Sequence, residues 1–212
     1  MEEEEVKNGS VAVKEEDAPF PLTELDKIGL SQKDEDFKLH TWDDLKEIIE
    51  TNNLALLTRT PSQIRAYITW CSKINREYGS VSNFIIAHRL PWGPPPFSFN
   101  SSTPLSDPSD YRILVNDWPY GFTDEITHIV VWSKTPIPTD EGTGDLTKDS
   151  RNRVEGWVKR TFGDRLGEER VLWFKNWVGL QSVRALEHFH VLVRGAGEED
   201  ISFWTGETQG RM

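Results

Sequence analysis

The run LEHFHVLVR at residues 186–194 gives the clearest indication of the fold. Its period of two predicts a β-strand. One face of this strand carries Leu186, His188, His190 and Leu192. A second run, ITHIVVWS at residues 126–133, alternates in the same way and carries His128 among apolar neighbours on one face. The sequence therefore predicts two strands that direct histidines into the protein interior.

Two further strands and three helices flank these runs. The strands are predicted at residues 111–115 and 170–175. The helices are predicted at residues 42–50, 61–78 and 147–163, from helical spacing of apolar residues and from capping residues. Residues 81–88 fit either a strand or a short helix, and the Pro-rich residues 91–108 are predicted to form a loop. Helices followed by strands predict an α+β domain with a mainly antiparallel sheet and flanking helices.

The start and the end of the chain are polar. Residues 1–39 contain 12 of the 35 acidic side chains and few apolar ones. Such a segment gains little from burial, so residues 1–36 are predicted to be an acidic tail that is disordered or loosely docked. A solubilising role is favoured over an interaction arm. Residues 37–212 are predicted to form one α+β domain, which begins with a helical pair and ends in a polar, Gly-rich segment carrying Trp204.

Composition narrows the functional class. The formal net charge of −11 makes nucleic acid an unlikely partner and argues against binding to an anionic membrane, because both need a basic face. Apolar runs are too short to span a bilayer, and we expect no secretory signal. The single cysteine, Cys71, lies on the apolar stripe of the second helix and is predicted to be a core residue. We expect a protein of a reducing compartment, the cytoplasm and also the nucleus, and the oligomeric state is not indicated.

His188 and His190 are the strongest candidates for a site. A period of two places them on one face, about 7 Å apart at the backbone. One imidazole could be a nucleophile while the other handles charge or a proton. Alternatively, His188, His190 and His128 could bind zinc or iron. His128 alone is more typical of a hydrogen-bonded structural residue.

Polar residues in predicted turns lie close to these histidines in the chain. These residues are Asn116, Asp117 and Trp118 before one strand, and Lys175, Asn176, Gln181 and Ser182 before the other. Loop tryptophans, namely Trp92, Trp118 and Trp177, could form the wall of a ligand pocket. The aromatic residues of the long loop, Trp92 and Phe97, could equally pack over the core.

Two segments resemble the histidine-triad superfamily. They are DWPYGFTDEITHIVVWSK at residues 117–134 and QSVRALEHFHVLVR at residues 181–194. The resemblance implies that His188 is the nucleophile and His190 the last histidine of the triad. It further implies phosphate contacts from Gln181, Ser182 and Asn176, a ribose contact from Asn116 or Asp117, and positive charge from Lys134 and Arg194. The sequence departs from the pattern at the first histidine, which is Leu186, and at the final proline, which is Val193.

Four longer strings resemble the fungal N-acetylglucosamine-induced protein family. They are TWDDLKEII, NDWPYGFTDEITHIVVWSK, GDLTKDSRNRVEGWV and WFKNWVGLQSVRALEHFHVLVRG, in this order along the chain. The resemblance implies a fungal intracellular protein with a domain of unknown function. It also implies a link to amino-sugar metabolism or its induction.

Three functions are therefore expected in order of preference. The first is a histidine-triad-like hydrolase or transferase that acts on a phosphoester or phosphoanhydride of a nucleotide or nucleotide sugar, without a cofactor. The second is a metal-dependent enzyme built on His128, His188 and His190. The third is a non-catalytic, sugar-responsive binding or regulatory module.

Overall fold

A computed structural model describes residues 13–207 of the chain. Four strands form one antiparallel sheet in the order β1-β2-β4-β3. The strands are β1 (Tyr111–Val115), β2 (Ile126–Ser133), β3 (Val171–Phe174) and β4 (Glu187–Arg194). The helices are α1 (Glu24–Ser31), α2 (Trp42–Glu50), α3 (Pro61–Tyr78), α4 (Val81–His88), α5 (Lys148–Val158), α6 (Asp164–Leu166) and α7 (Glu198–Thr205). Within the described residues, no helix is long and apolar enough to cross a bilayer.

The register of β2 and β4 fixes the positions of the histidines. His190 lies opposite Val130, and His188 lies opposite Trp132. His128 therefore shares one face of the sheet with His188 and His190, because side chains two residues apart point to the same side. We call this the histidine face. The predicted alternation of both strands is confirmed.

Apolar packing covers both faces of the sheet. The face opposite the histidines carries Phe189 and Val191, which are fully buried against α5 and α7. On the histidine face, two apolar clusters lie on either side of the imidazoles. One joins α2 to Phe174 and Leu192, and the other joins α4 to Val130 and Trp132. The sheet is thus a middle layer between two groups of helices, as expected of an α+β domain.

Capping residues mark the predicted helices. Thr41 accepts a hydrogen bond from the Asp44 amide at the start of α2, and Thr60 does the same at α3. Gly79 ends α3 in the left-handed conformation, with φ of 79°. Residues 81–88, for which the sequence left two alternatives, form the helix α4 behind the cap Ser80.

Two sequence predictions, one about a helix end and one about the closing segment, are wrong. The helix that begins after Thr147 does not end at Gly163, because a π-helical turn (Lys159–Gly163) carries it into α6. It ends at Gly167, whose φ of 100° favours glycine. The closing segment is not merely polar, because it forms α7 and buries Trp204. The segment has few apolar residues, so its sequence shows little of the spacing that predicts a helix.

Residues 13–36 lie along α3. The Phe20 ring packs 5.2 Å from the Tyr67 ring, and Asp34 accepts hydrogen bonds from the amide and hydroxyl of Ser62. Phe20 therefore packs on the domain. The boundary at residue 36 between tail and domain stays a prediction, and residues 1–12 lie outside the described part of the chain.

We predict that Trp204→Ala lowers the free energy of unfolding by about 3–5 kcal/mol. Trp204 is buried, packs 4.8 Å from Phe162 and donates a hydrogen bond of 2.8 Å to the Thr161 carbonyl. The control is Phe203→Ala, because the neighbouring Phe203 is 67% exposed. This substitution should lower the free energy of unfolding by about 1 kcal/mol or less. Urea denaturation of both variants measures the difference, and equal costs would show that α7 does not pack on the core.

Candidate functional site

A pocket opens on the histidine face between α3, α4 and the two turns that precede β2 and β4. Its volume is about 80 Å³, room for roughly five to eight water molecules. One end is polar and is lined by Arg59, Asn176, Gln181, Ser182, His188 and His190. The other end is mainly aromatic and apolar, with Trp70, Phe84, Ile85, Trp118 and Trp132. A mainly apolar pocket with a few convergent polar groups is typical of a ligand site.

His188 has one defined tautomer. Its Nδ1 lies 2.8 Å from the Leu186 carbonyl oxygen, which can only accept a hydrogen bond. Nδ1 therefore carries the proton, and Nε2 keeps its lone pair. Burial lowers the pKa of His188, so that the ring is neutral at pH 7. The Trp132 ring, 4.8 Å away, holds the imidazole in place.

His190 and His128 form a buried imidazole pair. His190 Nδ1 lies 2.9 Å from His128 Nε2, so one of these nitrogens donates and the other accepts. Burial lowers the pKa of His128 to about 3, and the positive charge of Arg59 adds to this effect. The pKa of His190 is also well below its usual value, because of burial, the two neighbouring histidines and Arg59. Both rings are neutral at pH 7. His128 lies behind His190 and does not line the pocket, so it is a positioning residue.

The turn before β4 is tied to the histidines by Asn176. Its Nδ2 donates a hydrogen bond of 3.1 Å to the Tyr120 hydroxyl and lies 3.4 Å from His190 Nε2. Its backbone carbonyl accepts a hydrogen bond of 2.6 Å from Gln181 Nε2. Gln181 therefore keeps its side-chain oxygen for other partners. These contacts bring Asn176 and Gln181 together with His190, as the sequence predicted.

Ser182 is the hydroxyl group of the pocket. Its Oγ accepts a hydrogen bond of 2.8 Å from the Tyr67 hydroxyl. Burial raises the pKa of Tyr67, so the phenol keeps its proton at physiological pH. Because Ser182 accepts from Tyr67, its own proton is available for a ligand. The sequence predicted Ser182 but gave no indication of Tyr67, which lies on α3.

Arg59 is another residue of the pocket that no sequence pattern indicated. Its guanidinium lies 4.1 Å from the centre of the Tyr67 ring and 5.1 Å from that of Tyr120. Its Nη2 donates a hydrogen bond of 3.1 Å to the Trp118 carbonyl. Arg59 lies in the short connection before α3, far from the histidines in the sequence, and no motif marks it.

The turn after β1 forms the rim of the pocket. Asn116 Oδ1 accepts a hydrogen bond of 2.9 Å from the Trp118 amide, which holds the turn. The Trp118 ring packs 5.3 Å from Trp70. Asp117 pairs with Arg89 at 3.2 Å. The structure therefore brings Asn116, Asp117 and Trp118 to the predicted site.

Three predicted cations do not reach the pocket. Lys175 forms an ion pair of 2.9 Å with Glu187, because it follows Phe174 and so points to the opposite side of the sheet. The Arg194 guanidinium lies over the Trp42 ring at 5.1 Å. Lys134 lies 3.8 Å from the buried Asp110 and over the Trp92 ring. Each has a structural partner instead.

Two of the predicted wall tryptophans also lie elsewhere. Trp92 packs 5.4 Å from Phe97 over the cluster around α4, so the long loop covers the core. Trp177 packs beside α2 with Phe174. Of the three predicted loop tryptophans, Trp118 lines the pocket. Trp70 of α3 lines it as well.

The predicted metal site at His128, His188 and His190 is not formed. The 2.9 Å between His128 and His190 nitrogens is a hydrogen-bond distance, whereas two nitrogens on one tetrahedral zinc ion are about 3.3 Å apart. Across residues 13–207, no group of three His, Cys, Asp or Glu side chains is placed to hold a metal ion.

Comparison with known proteins places this site in a family. A family profile described as a protein of unknown function, DUF3605, matches residues 41–194. The chain belongs to the DUF3605 family. The DUF3605 match includes β2, β4 and all three histidines of the site.

Two curated relatives support this assignment. N-acetylglucosamine-induced protein 1 of Candida albicans is 27% identical, over 76% of this chain and 70% of the relative. Uncharacterized protein YPL067C of Saccharomyces cerevisiae is 29% identical, over 72% of this chain and 77% of the relative. The predicted resemblance to the N-acetylglucosamine-induced proteins is confirmed.

A solved structure shares the fold. The crystal structure of HTC1 superposes with a TM-score of 0.62 and covers 78% of this chain and 93% of HTC1. The two sequences are 24% identical, so this likeness concerns the fold alone. The relation of DUF3605 to the histidine-triad superfamily stays a prediction.

We predict that His128 makes the protein less stable in acid. Its folded-state pKa of about 3 lies below the 6.5 of an unfolded chain, so the unfolded state takes up the proton first as the pH falls below 6.5. The free energy of unfolding should fall by about 2 kcal/mol between pH 7.5 and 5 from His128 alone. Urea denaturation of His128→Gln should show a pH dependence that is weaker by this amount.

Leu192→Ala is the control for this measurement. Leu192 is fully buried opposite His128 in the sheet and does not titrate. The variant should be less stable at every pH and keep the pH dependence of the wild type. An unchanged pH dependence in His128→Gln would contradict the neutral state of the buried imidazole.

Proposed function

We propose that the protein is a hydrolase or transferase that forms a covalent intermediate between His188 and the phosphorus of its substrate. The supporting observation is the His188 Nδ1 contact of 2.8 Å to the Leu186 carbonyl, which leaves Nε2 unprotonated in a pocket. A neutral imidazole nitrogen is a good nucleophile, and its tautomer is fixed before the substrate binds. The expected substrates are phosphoesters or phosphoanhydrides of nucleotides or nucleotide sugars.

In the first step, the lone pair of His188 Nε2 attacks phosphorus. A P–N bond forms while the P–O bond to the leaving group breaks, and the electron pair of the broken bond stays on the leaving oxygen. The imidazole becomes positively charged, and the Leu186 carbonyl stabilises it through the Nδ1 proton. Ser182 can donate its hydroxyl proton as a hydrogen bond to a phosphoryl or leaving oxygen, because it accepts from Tyr67.

In the second step, water or another acceptor hydroxyl attacks the same phosphorus. The P–N bond breaks, its electron pair returns to Nε2, and the proton of the attacking oxygen goes to solvent. With water the outcome is hydrolysis, and with an acceptor hydroxyl it is transfer. His190, held by His128 and Asn176, lies beside His188 with ring centres 5.4 Å apart and keeps the nucleophilic ring in position.

The sugar part of the proposal draws on the family and on the shape of the pocket. A relative is named for induction by N-acetylglucosamine. The aromatic end of the pocket, with Trp70 and Trp118, offers flat surfaces for a sugar or a base.

We also place the protein in the cytoplasm or nucleus, as expected from its cysteine content.

The test is turnover of nucleotides and nucleotide sugars by the purified full chain, followed by mass spectrometry. We predict that His188→Ala lowers kcat roughly 1000-fold or more, because no other group forms the covalent intermediate. Imidazole added to His188→Gly should restore part of the turnover by occupying the space of the missing ring. Rapid acid-free quenching of the wild type should trap a phosphorylated or nucleotidylated His188.

The matched control is His88→Ala, because His88 is an exposed histidine of α4 outside the pocket. It should keep wild-type kcat. Full turnover by His188→Ala would rule out the nucleophilic role. Absence of turnover by the wild type with every nucleotide and nucleotide sugar would rule out the proposed substrate class.

The second candidate is a non-catalytic module that binds a sugar. The observation in its favour is the aromatic wall formed by Trp70 and Trp118, whose rings lie 5.3 Å apart at the mouth of a pocket. Binding of N-acetylglucosamine without turnover, lost in Trp118→Ala, would support this candidate over the enzyme.

A further inference from the structure

The pocket holds a cation that has no carboxylate partner. Within residues 13–207, no Asp or Glu side chain forms an ion pair with Arg59. In this part of the chain, the guanidinium has one hydrogen-bond acceptor, the Trp118 carbonyl, and its buried Nε has none. The group has five N–H donors, so most of its bonding capacity is unused by the protein.

The surroundings of Arg59 make this arrangement costly without a ligand. The guanidinium lies between the rings of Tyr67 and Tyr120, which reduce its access to water. Arg59 is half-buried and its Nε is buried without a partner, so part of the hydration of its charge is lost. The two aromatic faces recover part of that loss and keep the planar group in one orientation.

The polar groups near Arg59 are uncharged. Ser182 has a hydroxyl proton to donate, and the pKa values of His128 and His190 are lowered by burial and by the charge of Arg59 itself. Asp117, the carboxylate that lines the pocket, is paired with Arg89 at 3.2 Å, so among residues 13–207 the charge of Arg59 is left without a carboxylate partner. An anion is the chemical group that completes such a site.

We infer that Arg59 binds a phosphoryl group of the ligand in this pocket. The inference rests on the proposed function for its choice of anion, because a planar guanidinium fits both phosphate and carboxylate. It goes further by assigning a specificity residue to the site. Substrates with a second phosphoryl group next to the reacting one should bind most tightly. In such a substrate, His188 contacts one phosphoryl group and Arg59 contacts its neighbour.

The test measures the binding of pyrophosphate to the full chain by isothermal titration calorimetry at constant ionic strength. Arg59→Met, which keeps the length of the side chain without its charge, should weaken binding by about 10- to 100-fold. The affinity of Arg59→Lys should lie between those of the wild type and Arg59→Met, because lysine keeps the charge and loses the bidentate geometry. Arg76→Met, which removes an exposed arginine of the same helix region, should bind as the wild type does.

Inorganic phosphate and succinate serve as comparison ligands. Weaker binding of phosphate than of pyrophosphate, with both lost in Arg59→Met, would support the inference and its preference for two phosphoryl groups. Tighter binding of succinate than of pyrophosphate would overturn it, as would equal pyrophosphate affinity in Arg59→Met and the wild type. Absence of binding of all phosphoryl probes to the wild type would also overturn it.

A structural role of Arg59 predicts a different result. If the guanidinium served only to hold Tyr67 and Tyr120, Arg59→Met would lower the thermal midpoint of the ligand-free protein, and pyrophosphate would raise that midpoint equally in both proteins. We expect the rise to disappear in Arg59→Met. His188→Ala separates the two proposals, because it should abolish turnover and keep Arg59-dependent pyrophosphate binding, whereas turnover unaffected by Arg59→Met would overturn the inference alone.

Discussion

The hydrogen bond of 2.9 Å between His128 and His190 determines how the site is built. It joins side chains of the two central strands, so the register of β2 and β4 also sets the register of the imidazoles. Two positively charged imidazole rings would repel each other at this buried position, so both rings are neutral. The rest of the histidine face follows from this constraint. His188 is placed two residues from His190, and Asn176 must come close to satisfy the outer nitrogen of His190.

Packing on the opposite face keeps this polar layer in place. Phe189 lies between the two histidines in sequence and points the other way, into the core under α5 and α7. A shift of β4 by one residue would exchange Phe189 for an imidazole in that core and would bury unpaired ring nitrogens. The apolar core thus specifies the register, and the register specifies the site. The turns that supply Ser182 and Gln181 need no such rigidity from their own sequence, because Tyr67 and Asn176 hold them.

Much of this architecture follows from local patterns in the sequence. Alternation identified β2 and β4 and the face of each histidine, and capping residues identified α2 and α3. The same local reasoning failed where the answer depends on contacts between distant segments. Lys175 looked close to the site in sequence, but the pleat of β3 continues into it and turns it toward Glu187. Arg59 has no local signal at all, since its position in the pocket depends on contacts with the turns before β2 and β4, which are distant in the sequence.

Leu186 shows how the pocket differs from a site with three histidines. A histidine at that position could pass a proton to the leaving group, whereas a leucine side chain carries none. The backbone of Leu186 still fixes the tautomer of His188, and its side chain adds to the apolar cluster around Trp132. In the proposed mechanism, the pocket therefore keeps the nucleophile His188 and lacks this acid. A leaving group that departs as a stable anion, such as a phosphate of a phosphoanhydride, needs no proton from the protein. An alkoxide leaving group, as in a simple ester, does need a proton. Chemistry at such a site consequently favours the phosphoanhydride over the simple ester, and the same preference is expected from a cation placed to receive a second phosphoryl group.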